Sequence, residues 1–127
     1  MKLLLDTHIL LWCLDESDKL PDKARELLLS ADEVYASTVN LWEIIIKQSI
    51  GRLDIKIDFH DLIQVIEQSG FDILPIKPNH AIKLMDLEDY HRDPFDRMLI
   101  SQSLVEPLHL ITCDTVLAKY KGNIIKV

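Results

Sequence analysis

Lys2-Leu3-Leu4-Leu5-Asp6-Thr7-His8-Ile9-Leu10-Leu11-Trp12-Cys13-Leu14 opens the chain. The short apolar run Lys2–Leu5 predicts a buried strand, and His8–Leu14 predicts a helix. Asp6 stands at the junction. The pattern returns near the other end: Leu108–Thr112 reads as a strand, Asp114 follows it, and Thr115–Tyr120 reads as a helical turn or two. Between them, helices are predicted at Pro21–Ser30 with Pro21 in its first position, from a Ser37 or Thr38 cap to about Ser49, at Phe59–Ser69, at Asn79–Met85 and at Pro94–Val105. Gly51 and Gly70 end two of them. Glu33–Ala36, Phe71–Pro75 and Asn123–Lys126 read as further strands, residues 52–57 as a small strand or arm, and Asp86–Arg92 as a polar connection. Short apolar strands alternating with helices predict an α/β fold, a mostly parallel sheet of about five strands with helices on both faces. Ligands of such sheets bind beyond the carboxyl ends of the strands.

Four acids stand out against this frame. Asp6 and Asp114 each lie just past a strand's carboxyl end, which puts them on one edge of the sheet if the two strands are parallel neighbours. Glu43 interrupts Val39-Asn40-Leu41-Trp42-Glu43-Ile44-Ile45-Ile46, apolar nearly all round, so its helix is expected to be largely buried. Asp96 lies one turn into the helix opened by Asp93-Pro94. Each has a plainer explanation. Asp6 or Thr7, and Asp114, can cap helices; Asp96 can favour a helix start through the macrodipole; Glu43 and Lys47 are spaced for a solvated i,i+4 pair. A lone buried carboxylate at position 43 would cost several kcal/mol, and a cation removes that cost. Crowded carboxylates with no thiol or imidazole spacing favour Mg²⁺ or Mn²⁺ over zinc or copper. The five histidines carry no zinc-ligand spacing.

The bulk properties narrow the classes. The 127 residues make one domain, residues 1–127, with 48% hydrophobic content, enough for an ordinary core. No run reaches the length of a membrane span, and the N-terminus is charged too early for a signal peptide. Two cysteines without close spacing fit a reducing cytoplasm. With three glycines, the chain has no phosphate-cradling loop. A net charge of −7, from 21 acids and 14 bases, argues against nucleic-acid binding through bulk electrostatics; phosphate contact has to be local. Arg92, Arg97, Thr7, Asn40 and Thr112 are the candidates for substrate contact, the two arginines with His91 at a phosphate. Asn40 and Thr112 can also orient the acids. Trp12, Trp42 and Phe95 read as core rather than as base-stacking platforms.

Leu4-Leu5-Asp6-Thr7-His8, Ser37-Thr38-Val39-Asn40-Leu41-Trp42-Glu43-Ile44, Asp93-Pro94-Phe95-Asp96-Arg97-Met98-Leu99-Ile100 and Ile111-Thr112-Cys113-Asp114 resemble, in order and spacing, the motifs of the PIN-domain family, specifically its VapC-type ribonuclease toxins. Ser101, where the family often has Ala, and the acidic stretch 86–90 are the departures. The resemblance implies a PIN-like three-layer α/β/α sandwich. It implies metal-binding catalytic roles for Asp6, Glu43 and Asp96, with Asp114 as a fourth, more variable acid and Asp93 as a helix cap. It implies Mg²⁺- or Mn²⁺-dependent hydrolysis of RNA, tRNA or single-stranded, with inhibition of translation, and it implies a homodimer and a small antitoxin that blocks the pocket. Two other readings remain at this point: a catalytically inactive PIN-like binding module, and a haloacid-dehalogenase-type phosphatase with Asp6 as nucleophile, against which stands His8 in place of the expected Asp.

Overall fold

The computed structural model describes residues 1–127. The strands are β1 (Lys2–Leu5), β2 (Glu33–Ser37), β3 (Asp72–Leu74), β4 (His109–Thr112) and β5 (Ile124–Lys126). The helices are α1 (Thr7–Leu14), α2 (Asp22–Ser30), α3 (Thr38–Ser49), α4 (Phe59–Gln68), α5 (Pro78–Lys83) and α6 (Pro94–Val105), with single 3₁₀ turns at Leu84–Asp86 and Leu117–Lys119. The sheet order is β3-β2-β1-β4-β5, and every pairing is parallel. The chain winds outward from β1 to β3 on one side and from β4 to β5 on the other. Strand order therefore reverses between β1 and β4, the point at which open α/β sheets bind ligands.

Side chains alternate across a strand, and β1 shows the consequence. Leu3 and Leu5 enter a core with Ile9, Leu10, Val34, Ala36, Ile44, Leu62, Ile66 and Ile111. Leu4 enters the opposite core with Val39, Leu74, Leu99, Ile100, Leu110, Leu117 and Tyr120. The sheet is thus sandwiched between two helical layers. Leu5 is in register with Ile111, and the Asp6 N–H continues the ladder by donating to the Ile111 carbonyl at 3.2 Å. This fixes the ends of β1 and β4 side by side.

The helix starts are set by short polar side chains. Ser37 Oγ accepts from the Val39 N–H at 3.0 Å while Asn40 Oδ1 accepts from the Ser37 N–H at 2.7 Å, a reciprocal capping box for α3. Asp93 Oδ1 accepts from the Phe95 and Asp96 N–H groups at 2.8 and 3.2 Å, and Pro94 follows as the first residue of α6. Gly51 and Gly70, at φ +76° and +86°, supply the left-handed residues after α3 and α4.

Three expectations change. Pro21 precedes α2 in extended geometry, with no side-chain cap, and the helix begins at Asp22. Of the two readings of residues 52–57, the arm holds and the strand does not: Leu53, Ile55 and Ile57 pack on the core beside α1 and α4, and the Ile55 N–H is satisfied by Gln48 Oε1 at 3.0 Å instead of by a neighbouring strand. The third concerns α3, which is buried only along Val39, Asn40, Glu43 and Ile44. Trp42, Ile45, Ile46 and Ile50 are exposed. An apolar sequence all round that helix marks a core face and an uncovered face, not full burial.

Candidate metal centre

Asp6, Glu43, Asp96 and Asp114 line a single cleft of about 470 Å³ at the β1/β4 reversal, together with His8, Trp12, Lys47 and His91. Asp6 is 5% exposed. Its Oδ1 accepts from the His8 N–H at 2.7 Å, capping α1, and its Oδ2 accepts from the Thr112 hydroxyl at 2.6 Å. The cap and the site are therefore one arrangement. Burial pushes the Asp6 carboxyl up, against the pull of these two hydrogen bonds. Glu43 is 3% exposed. Its Oε1 accepts from the Thr7 hydroxyl at 2.5 Å and its Oε2 pairs with the Lys47 ammonium. Burial alone would lower the Lys47 pKa, but the Glu43 carboxylate, with Asp93 and Asp96 behind it, raises it instead.

Asp96 carries the largest perturbation in the cleft. Burial first, then the charges of Asp93, Asp6, Glu43 and Asp114, push its carboxyl up to about 8. Asp114 goes the other way: burial would raise it, but the Leu117 and Val116 N–H groups on its Oδ1 and the His91 ring outweigh burial and hold it low. His91 Nε2 lies 3.1 Å from Asp96 Oδ2 and 3.3 Å from Asp114 Oδ2. Its Nδ1 accepts from the Asp93 N–H at 3.1 Å. A neutral ring so placed carries its proton on Nε2, between the two carboxylates. In this arrangement His91 donates a hydrogen bond and has no free lone pair for a metal.

The donor set fits a hard divalent cation. Four carboxylates from four separate segments supply only oxygen. Two of the chain's own cationic or proton-donating groups, Lys47 and His91, stand where a cation would offset the acids, and Asp96 still favours its protonated form. Carboxylate oxygens of Asp96 and Asp114 lie within 4.8 Å of one another, with the His91 ring between them, while Asp6 and Glu43 face them from the sheet end and α3. Sequence reasoning placed His91 at a phosphate, whereas the structure sets it between Asp96 and Asp114, partners that only the fold brings to it. The counter-ion role of Lys47 was visible in its spacing from Glu43 but was read there as a solvated pair.

The expected substrate contacts divide. Thr7 lines the cleft, but its hydroxyl is committed to Glu43 and it accepts from Asn40 Nδ2 at 2.9 Å. Asn40 is fully buried and also donates to the Leu5 carbonyl at 3.1 Å. Thr112, also buried, orients Asp6. These three brace the acids. Arg92 is exposed outside the cleft. Arg97 is tied inward to the Glu88 and His91 carbonyls and the Tyr120 hydroxyl at 3.0 to 3.3 Å, fastening the 88–91 connection over α6. Trp12, expected in the core, is half-buried and forms part of the cleft wall. Trp42 is exposed and meets Phe95 edge-on at 4.9 Å.

The PIN domain family matches residues 3–123 of the chain. No curated protein matches its sequence. Among solved structures, the chain is similar to VapBC2 from Rickettsia felis bound to a DNA fragment from its promoter, at 17% identity and TM-score 0.71, with 100% of this chain and 99% of that chain covered. It is similar to DNA-bound VapBC from Salmonella typhimurium, at 18% identity and TM-score 0.67, with 99% and 98% covered. It is also similar to FitAcB from Neisseria gonorrhoeae, at 19% identity and TM-score 0.67, with 97% and 96% covered. At these identities the likeness is one of fold.

Proposed function

The chain belongs to the PIN domain family, and from that premise we propose that it is a Mg²⁺- or Mn²⁺-dependent endoribonuclease, the toxin of a toxin–antitoxin pair. The observation that carries this reading is the convergence of Asp6, Glu43, Asp96 and Asp114 on one cleft at the sheet's reversal point. Structures similar in fold include chains from VapBC and FitAcB assemblies and from a toxin–antitoxin complex of Klebsiella pneumoniae, which supports an antitoxin as partner.

In this reading the four carboxylates hold the cation. A bound cation supplies Lewis-acid stabilisation of the scissile phosphate and lowers the pKa of the attacking water. The protein's own part is orientation. Thr112 and the His8 N–H fix both oxygens of Asp6, and Thr7, itself held by Asn40, fixes one oxygen of Glu43. Attack on phosphorus in line with the leaving oxygen leaves a 5′-phosphate and a 3′-hydroxyl. The substrate class is single-stranded RNA or a tRNA loop, cut in the cytoplasm so that translation stops. The uncovered apolar face of α3 supports a homodimer.

The test is cleavage of labelled total RNA by the purified protein with Mg²⁺, with Mn²⁺ and with chelator, beside Asp6→Asn. Discrete fragments that need metal and vanish in the variant are expected. Full metal-dependent cleavage by Asp6→Asn overturns the assignment of the acids. A folded wild-type protein that neither cleaves RNA nor takes up Mn²⁺ in calorimetry is an inactive binding module.

A further inference from the structure

Resting on the ribonuclease reading above, we propose that Trp12, backed by His8, is a nucleobase subsite, on which a base flanking the scissile phosphate of single-stranded RNA stacks. The two residues are four apart on α1 and share a face; their ring centroids lie 6.0 Å apart, tilted by 35°. Because α1 starts directly after Asp6, this aromatic pair is bolted to the acid cleft, and both rings line it. Both also line a second cleft of about 290 Å³, with Leu11, Lys19, Leu53 and Ile55. Trp12 reaches a third, beside Arg25. It stands where three concavities meet, on the wall of the cleft that holds the acids, and is only half-buried.

The chemistry of the neighbours selects a base as the occupant. Trp12 and Cys113 are the apolar side chains of the acid cleft; Trp12 packs against the core and is the one large aromatic surface that the cleft offers to a ligand. His91 is held by its ring nitrogens between carboxylates and a backbone N–H, where its part is to orient the acids. Charge does not supply the affinity. The chain carries −7, and in the second cleft Lys19 is offset by Asp15 and Asp54. A protein so poor in phosphate-binding cations needs another source of hold on a single strand, and stacking on an aromatic ring is the sequence-tolerant one. Trp42, by contrast, sits against Phe95 on α3 and lines none of these clefts.

The experiment compares a single-stranded oligoribonucleotide cut by the wild-type protein in Mn²⁺ with versions lacking one base at each position around the cut. Removing the stacked base is expected to raise KM about tenfold. Trp12→Leu is expected to raise KM on the intact strand to a similar degree and to stop distinguishing intact from abasic substrate, with Trp12→Phe between the two. Equal cleavage of all strands by the wild type, or continued discrimination by Trp12→Leu, overturns the subsite. If Trp12→Leu does not fold, the wild-type abasic series and the exposed His8→Ala decide the matter by the same criterion. If the wild type cleaves nothing, it is the nuclease reading that has failed. The subsite is then judged on Trp42→Phe protein, whose one remaining indole is Trp12. Fluorescence quenching by oligouridylate but not by the base-free sugar–phosphate chain upholds it, and equal or absent quenching overturns it.

Discussion

Asp96 concentrates the energetics of the cleft. Its carboxyl titrates at about 8 in the fold, against 3.8 for an ordinary Asp, because burial and then Asp93, Asp6, Glu43 and Asp114 oppose its charge. Between those two values the folded protein keeps a proton that the unfolded chain has released. Stability therefore declines as pH rises through that window. The metal-free protein is expected to melt lower at about pH 8 than at about pH 5. Asp96→Asn should remove much of that slope and raise the melting temperature at the alkaline end, while Mn²⁺ should stabilise the wild type there more than the variant. A variant that melts below the wild type at the alkaline end would count against a charge-crowded site. Lys47 makes the converse case. Replacing it by Met leaves Glu43 buried without its partner, a change expected to cost the metal-free protein about 2 kcal/mol, partly restored by Mn²⁺; denaturant melts with and without the ion measure both. Asp6, Glu43 and Asp114 stood out in the chain because each interrupts or ends an apolar run, and Asp96 by its place in the first turn after Asp93-Pro94. The position of His91 between carboxylates was not legible, since it comes from Asp96 and Asp114, which only the sheet reversal and the Arg97–Tyr120 strap bring to it.

Helix starts do two tasks at once, and they can be separated. Asp93 caps α6 with one oxygen while its charge is, after burial, the largest electrostatic burden on Asp96. Asp93→Asn keeps a good cap and removes the charge, whereas Asp93→Ala removes both. The alanine variant is expected to lose about 1 kcal/mol by denaturant unfolding. The asparagine variant should lose little or gain, and its Asp96 should titrate lower in carboxyl-resolved NMR. Equal destabilisation by both substitutions would mean that the cap is not what Asp93 contributes. At this scale most of the chain was readable. The Ser37/Asn40 box, Pro94 after Asp93, and the glycines at 51 and 70 each announce a terminus through local chemistry. What periodicity could not decide was pairing. Leu53, Ile55 and Ile57 alternate as a strand would, but alternation records only that one side of an extended segment is apolar. Gln48 took the place of a ladder, so no strand formed.

At the scale of the molecule, the parallel sheet was foreseeable from alternating strands and helices, and the site followed from where the strand order turns. The two faces of α3 were not separable in the same way, because Trp42, Ile45, Ile46 and Ile50 look in sequence like their buried neighbours Val39 and Ile44. In the fold they form an uncovered stripe, with Trp42 49% and Ile50 59% exposed, spaced three and four residues apart on one side of the helix. If the proposed homodimer uses this stripe, association has to overcome repulsion between two chains that each carry −7. An apolar interface between like-charged subunits tightens as salt screens that repulsion, whereas one held by ion pairs loosens. Sedimentation velocity at protein concentrations on the order of tens of micromolar is therefore expected to show a dimer whose dissociation constant falls with added salt. Ile45→Lys with Ile46→Lys should give a monomer of unchanged far-ultraviolet circular dichroism. A wild-type monomer under these conditions, or a dimer indifferent to the double substitution, would remove α3 as the interface.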